Sequence, residues 1–177
     1  IGVNRRNNPE ADVPKLRAAG KLKGPVDHDV PVLSVHDGEG RLVAVTFGYA
    51  CHATVLSDYK WSGDYPGYAQ VFFEQAHPGA VGLFWAGCGA DVNPLPRREV
   101  ELAEKYGRRL AAAVEVTLEG NMKPLVARLD SVYREIDLPF EKIPTRAEIE
   151  VKLKSENRYE QGRARVQLRR LKKDGRL

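Results

Sequence analysis

The chain has 177 residues, of which 42% are hydrophobic and 29% charged, and its formal net charge is +4. This composition suits one folded domain with a sizeable core and excludes wholesale disorder. The positive excess is mild and gathers in residues 152 to 177, where it reads as a solvated helix face rather than a nucleic-acid footprint. Two cysteines make no disulfide framework; Cys51 and Cys88 read as free thiols in apolar or glycine-rich surroundings, with a single bridge between them left open. No run reads as long enough to cross a bilayer, and no stretch of the given residues reads as a signal peptide. The chain starts at Ile1 and finishes in a charged helical pattern without a stop signal, so we expect a piece of a longer protein, cut at both ends.

Residues 1 to 24 are polar and read as an irregular lead-in. Val30 to His36 reads as a strand, and Asp37-Gly38-Glu39-Gly40 supplies a turn. Arg41 to Cys51 returns as a second strand of the same hairpin, apolar on both faces and therefore central. Ser57 to Gly63 is a loop. Asp64 is read as the N-cap of a helix through Phe72, Phe73 and Ala76, with Pro66 tolerated in its first turn and Pro78-Gly79 as its stop. Ala80 to Ala86 is a short strand, broken by Gly87-Cys88-Gly89, and Pro94 and Pro96 punctuate the next loop. A long helix follows from near Arg97, with Leu102, Tyr106, Leu110, Ala113 and Val114 on one face. Pro124 to Phe140 reads as an extended strand with a bulge near Asp130. From Thr145 a second long helix is expected, opened by a capping box with Glu148 and carrying a thin stripe of Ile149, Leu153, Ala164, Leu168 and Leu171. The fold class is α/β, or mixed α+β in layers: a central sheet with long helices packed on it, forming a partial domain over 1 to 177.

Three places could carry chemistry. His52 ends the buried strand and precedes a polar loop, where functional groups collect. Zinc needs three or four protein ligands, and no HExxH, HxH or CxxC spacing is present, so any partners of His52 are expected to be distant in sequence or off the end of the chain. The other histidines, His28, His36 and His77, read as structural. The second place is the turn WAGCGADVNP, in which Gly89, Asp91 and Asn93 could position a substrate or form an oxyanion hole, or simply satisfy their own backbone. Cys88 there invites a thiol-nucleophile reading with His52 as base. Yet Ala86 and Ala90 stand where a nucleophile elbow wants glycine. The third place is Asn4-Arg5-Arg6, whose arginine could clamp a carboxylate or polarise a carbonyl. Asp64 stands downstream of His52 as a possible carboxylate partner.

In order along residues 1 to 94, these segments resemble the neutral/alkaline, non-lysosomal ceramidase family in its N-terminal catalytic domain. Asn4-Arg5 with Asn8-Pro9, VDHDVPVLSV, FGYACHATVLS, SGDYPGYA and CGADVNP each resemble a segment of that family. Each match is short, and residues 95 to 177 match less distinctively. The resemblance implies a zinc-dependent hydrolase that cleaves an amide bond of an N-acyl lipid with metal-activated water. It implies that His52 is one zinc ligand, that a second histidine precedes this chain, and that a glutamate and a tyrosine follow Leu177. Asn93, Arg5 and Asp64 become catalytic candidates, and Gly89 and Asp91 substrate-binding ones. Asn93 falls where the family has a serine, which puts ceramide cleavage itself in question and leaves metal-assisted hydrolysis standing. The family is commonly exported, so an extracytoplasmic location is implied.

Two other readings stand beside this one: a non-catalytic relative that keeps the fold as a binding or structural domain, and a thiol hydrolase using Cys88 and His52. The expected partner is a small-molecule or lipid amide, with no nucleic acid and no transmembrane segment.

Overall fold

A computed structural model describes every residue except Ala127, Leu129, Phe140, Glu141 and Leu177. Its strands are β1 (Gly2–Asn4), β2 (Val32–His36), β3 (Leu42–Tyr49), β4 (Val81–Ala86) and β5 (Val92–Pro94). Its helices are α1 (Val13–Ala18), α2 (Asp64–Ala76), α3 (Val100–Leu118), α4 (Arg146–Lys152) and α5 (Arg158–Asp174). The architecture is mixed α/β, as expected. The chain divides into two units, Ile1–Leu125 and Val126–Leu177.

In the first unit β3 is the middle strand of a three-stranded sheet of order β2-β3-β4. The β2–β3 hairpin is antiparallel. Asp37 closes its turn by accepting from the amides of Glu39 and Arg41 through Oδ1, both at 2.9 Å. The β3–β4 pair is parallel, so the chain must cross over between them. That crossover is α2, whose Tyr65, Ala69 and Phe73 recur at spacings of four and are fully buried. They meet Val45, Phe47 and Tyr49 of β3 and Ala103, Tyr106, Leu110 and Val114 of α3 in one apolar core. At Gly107 the two helices touch; a Cβ there would stand 2.4 Å from Cβ of Tyr68. The opposite face of the sheet carries Leu33, Val35, Val81, Leu83 and Trp85, all exposed. No helix among the described residues is long and apolar enough to cross a membrane.

Residues 1 to 24 are not the irregular lead-in their polarity suggests. They hold β1, a 3-10 turn at Glu10–Asp12 and α1. Two buried asparagines organise them. Asn4 donates from Nδ2 to the Pro25 carbonyl (3.1 Å) and to Asp91 Oδ2 (2.7 Å), while its Oδ1 accepts from the amides of Arg6 and Asn7. Asn8 reaches the Asn4 and Lys23 carbonyls from Nδ2 and accepts from the Lys23 amide. These bonds satisfy groups whose burial would otherwise cost about 1–3 kcal/mol each. Glu10 receives Arg97 and Arg98, and the Arg97 hydrogen bonds hold its carboxyl below the usual range.

In the second unit the expected long helix is two helices, α4 and α5. Their junction is set by local polar bonds: Asn157 caps α5 by accepting from the Tyr159 amide, and its own amide donates to Ser155 Oγ. Serine and asparagine offer the backbone an alternative to helix in this way. The capping box at Thr145 and Glu148 forms as expected. Ile149 of α4 and Ala164 of α5 are fully buried, so the thin apolar stripe is the seam of a helix pair. The strand expected over Pro124 to Phe140 is not formed by the described residues there, and Ala127, Leu129 and Phe140 lie outside them.

Candidate functional site

β3 and β4 run parallel, and the segments that leave their carboxyl ends, residues 50 to 56 and 87 to 91, meet. That rim is where open α/β sheets place ligands. A two-stranded antiparallel ribbon of β1 and β5 lies beside it, with Val3 opposite Asn93 and Asn4 opposite Val92. The His52 amide donates to the Val92 carbonyl at 3.0 Å, and the Arg5 amide donates to the Asp91 carbonyl at 2.8 Å. The ribbon thus joins the start of the chain to both segments of the rim.

The side chains converge on one backbone atom. The carbonyl oxygen of Ala90 lies 3.1 Å from His52 Nε2 and 3.0 Å from Arg5 Nη2. A carbonyl only accepts, so Nε2 of His52 carries the proton, and in the neutral ring the lone pair sits on Nδ1. Asp91 is oriented by Asn4, as described above. Asn93 is buried at the middle of β5, and strand alternation turns it away from Val92, which packs in the main core. The structure therefore brings Arg5, His52, Gly89 and Asp91 together around Ala90, while Asn93 lies further along on β5, opposite Val3.

Gly89 is committed to the backbone. Its amide donates to the Gly87 carbonyl at 2.8 Å, and a Cβ on it would lie 2.4 Å from the Cys51 amide nitrogen. Neither neighbour is a flexible side chain that could move aside. Gly89→Ala is expected to cost about 1–3 kcal/mol or more of stability, as overpacking does. Urea unfolding would read it, and a variant as stable as the parent would show that the turn is looser than its contacts indicate.

Asp64 does not join this group, and it is not the helix N-cap expected from sequence. The N-cap is Gly63, and Asp64 is the first helical residue, with φ at 53° in the left-handed region. Its carboxylate accepts from the Leu56 amide through Oδ2 (2.9 Å) and from the Tyr65 amide through Oδ1 (2.7 Å), while its own amide donates to Ser62 Oγ. Asp64 thereby pins both ends of the loop that follows His52. Tyr65, which sequence reasoning passed over, donates from its hydroxyl to the Cys51 carbonyl at 3.0 Å. Burial pushes its phenol far above the ordinary value, so it remains a neutral donor. Its spacing with Ala69 and Phe73 was the available signal.

The two cysteines are free. Burial pushes the Cys51 thiol up to about 12, which leaves it protonated and inert. Cys88 is exposed, and among the described residues no hydrogen bond joins its thiol to His52, whose Nε2 is turned to Ala90.

Among the described residues no group of three or more His, Cys, Asp or Glu side chains could hold a metal ion. The described residues around His52 do not by themselves fit a zinc ion: the site offers one imidazole, and the nearby Asp91 carboxylate is already engaged by Asn4.

No protein-family model matches the chain, and no curated protein matches it. Among solved structures it is similar to a ceramidase complexed with C2, with a TM-score of 0.51 and 21% identity over 65% of this chain. A neutral ceramidase from Pseudomonas aeruginosa has a TM-score of 0.49, again at 21% identity over 65% of this chain. The first likeness shows that 65% of the chain has the fold of a part of a ceramidase. The chain spans 20% of the length of each of these structures.

Proposed function

We propose that this chain is part of a ceramidase-like, zinc-dependent hydrolase that cleaves the amide bond of an N-acyl lipid or a related substrate. The observation that carries this reading is the convergence of His52 and Arg5 on the Ala90 carbonyl, at the carboxyl rim of a sheet with a ceramidase-like fold. On this reading His52 supplies one zinc ligand, through Nδ1, and polypeptide outside this chain supplies the others. Zinc, when bound, polarises a carbonyl and activates water.

The chain's own residues have separate tasks. Arg5 holds Nη2 on Ala90 and offers its other guanidinium N–H groups to a substrate oxygen. The Asn93 amide can donate to a developing oxyanion, where a serine hydroxyl would have served the same end. Asp91, fixed by Asn4, is an acceptor for a substrate N–H or O–H group. Gly89 shapes the turn on which substrate would lie. Asp64 acts through the loop it anchors and is a positioning residue.

The test is chelation. Removing metal from the protein is expected to abolish hydrolysis of an N-acyl amide, and added zinc to restore it. Hydrolysis that persists after exhaustive chelation excludes the zinc reading. A zinc-replete protein that cleaves no N-acyl amide leaves the fold serving as a binding domain.

A further inference from the structure

The loop between β3 and α2 ends in two fully exposed aromatic rings. Tyr59 has a relative exposure of 109% and Trp61 of 105%, values reached when a side chain touches almost nothing else in the protein. They flank Lys60, and every residue from Ser57 to Gly63 is exposed. The base of this loop is not loose. Asp64 holds the Leu56 amide on one side and Ser62 Oγ on the other. The loop rises from the carboxyl end of β3, on the rim that carries His52.

Leaving two such rings in water forfeits the free energy of their burial, roughly 25 cal/mol per Å² of apolar surface. Tyrosine and tryptophan have an apolar body and a polar tip, which suits the boundary between lipid headgroups and acyl chains. A lysine between them suits phosphate, Asp58 before Tyr59 offsets its charge, and Ser57 and Ser62 suit hydrated headgroups. The rings project from a loop whose other residues, Ser57, Asp58, Lys60, Ser62 and Gly63, are polar or glycine.

We propose that the Tyr59-Lys60-Trp61 tip seats in the headgroup region of a lipid surface and sets the His52 rim against it. The proposal rests on the functional reading above in one respect: a substrate with an acyl chain is delivered from such a surface.

Phosphatidylcholine vesicles test it, alone and mixed with phosphatidylserine. With Trp85→Phe as background, Trp61 is the remaining tryptophan, and its emission is expected to shift to the blue on vesicles of either composition. Co-sedimentation with phosphatidylcholine vesicles is expected to fall about tenfold in the Tyr59→Ser/Trp61→Ser double variant, whose changes lie in solvent and leave the fold intact. This second measurement needs no Trp85 substitution. Trp61 emission unmoved by vesicles, or a double variant that sediments like the parent, overturns the proposal. Binding confined to anionic vesicles with Trp61 unmoved assigns the attraction to the basic helix α5 and overturns it as well. Self-association without lipid that the double variant abolishes makes the partner a second copy and likewise overturns it. Vesicle binding by a protein that hydrolyses nothing keeps this inference and removes the functional reading. Hydrolysis of a soluble short-chain amide without vesicle binding does the reverse.

Discussion

His52→Ala is expected to remove zinc and amide hydrolysis from the protein together. The substitution deletes a side chain whose other commitment is a single hydrogen bond to Ala90, worth about 1 kcal/mol, so the fold survives it. Loss of an outer partner of a metal ligand already lowers affinity about 10–100-fold, and loss of a ligand itself should exceed that. Metal analysis after dialysis, beside hydrolysis of an N-acyl amide, reads both quantities. Zinc retained at the parent level in His52→Ala would remove His52 from the ligand set and with it the functional reading. Alkylation of exposed Cys88 is the control, because it leaves both quantities unchanged unless the thiol is the nucleophile.

Asp64→Ala should cause the larger loss of stability. Alanine at a φ of 53° is strained by about 1–2 kcal/mol. The amides of Leu56 and Tyr65 lose their acceptor, each at a further cost of about 1–3 kcal/mol where water does not replace it. A total of about 3 kcal/mol or more is expected in urea unfolding followed by circular dichroism. Asp64→Asn should cost less, since asparagine tolerates the left-handed region and keeps one acceptor oxygen. Equal losses for the two variants, or a loss below about 1 kcal/mol for alanine, would contradict the anchoring role.

The parts of the fold that periodicity could reach were legible. The hairpin of β2 and β3, the burial of β3, helices α2 and α3 and the capping box at Thr145 each have a local signature in apolar spacing or turn chemistry. β1 and β5 have none, because three residues are too short for a period of two to register. Their neighbourhood is held by Asn4 and Asn8, which hydropathy scores as surface. The break between α4 and α5 depends on Ser155 and Asn157 bonding locally, a choice that the apolar stripe through both helices conceals. The site was legible to a similar degree. His52 and the turn through Asp91 could be singled out by their place after strands. Their meeting at Ala90 could not, since it depends on a parallel pairing and on a ribbon closed across the length of the unit.

That ribbon has a consequence for how the protein assembles. Asn4 and Asp91 are 87 positions apart in sequence, whereas α2 and β4 follow one another directly. Closing so long a loop carries an entropic penalty that short-range contacts avoid, and folding slows as such contacts dominate. The β3–α2–β4 unit can therefore consolidate first, and the chemistry-bearing rim is completed only when the opening residues return to it. During synthesis β1 emerges before β5 and waits for it across the whole β3–α2–β4 unit.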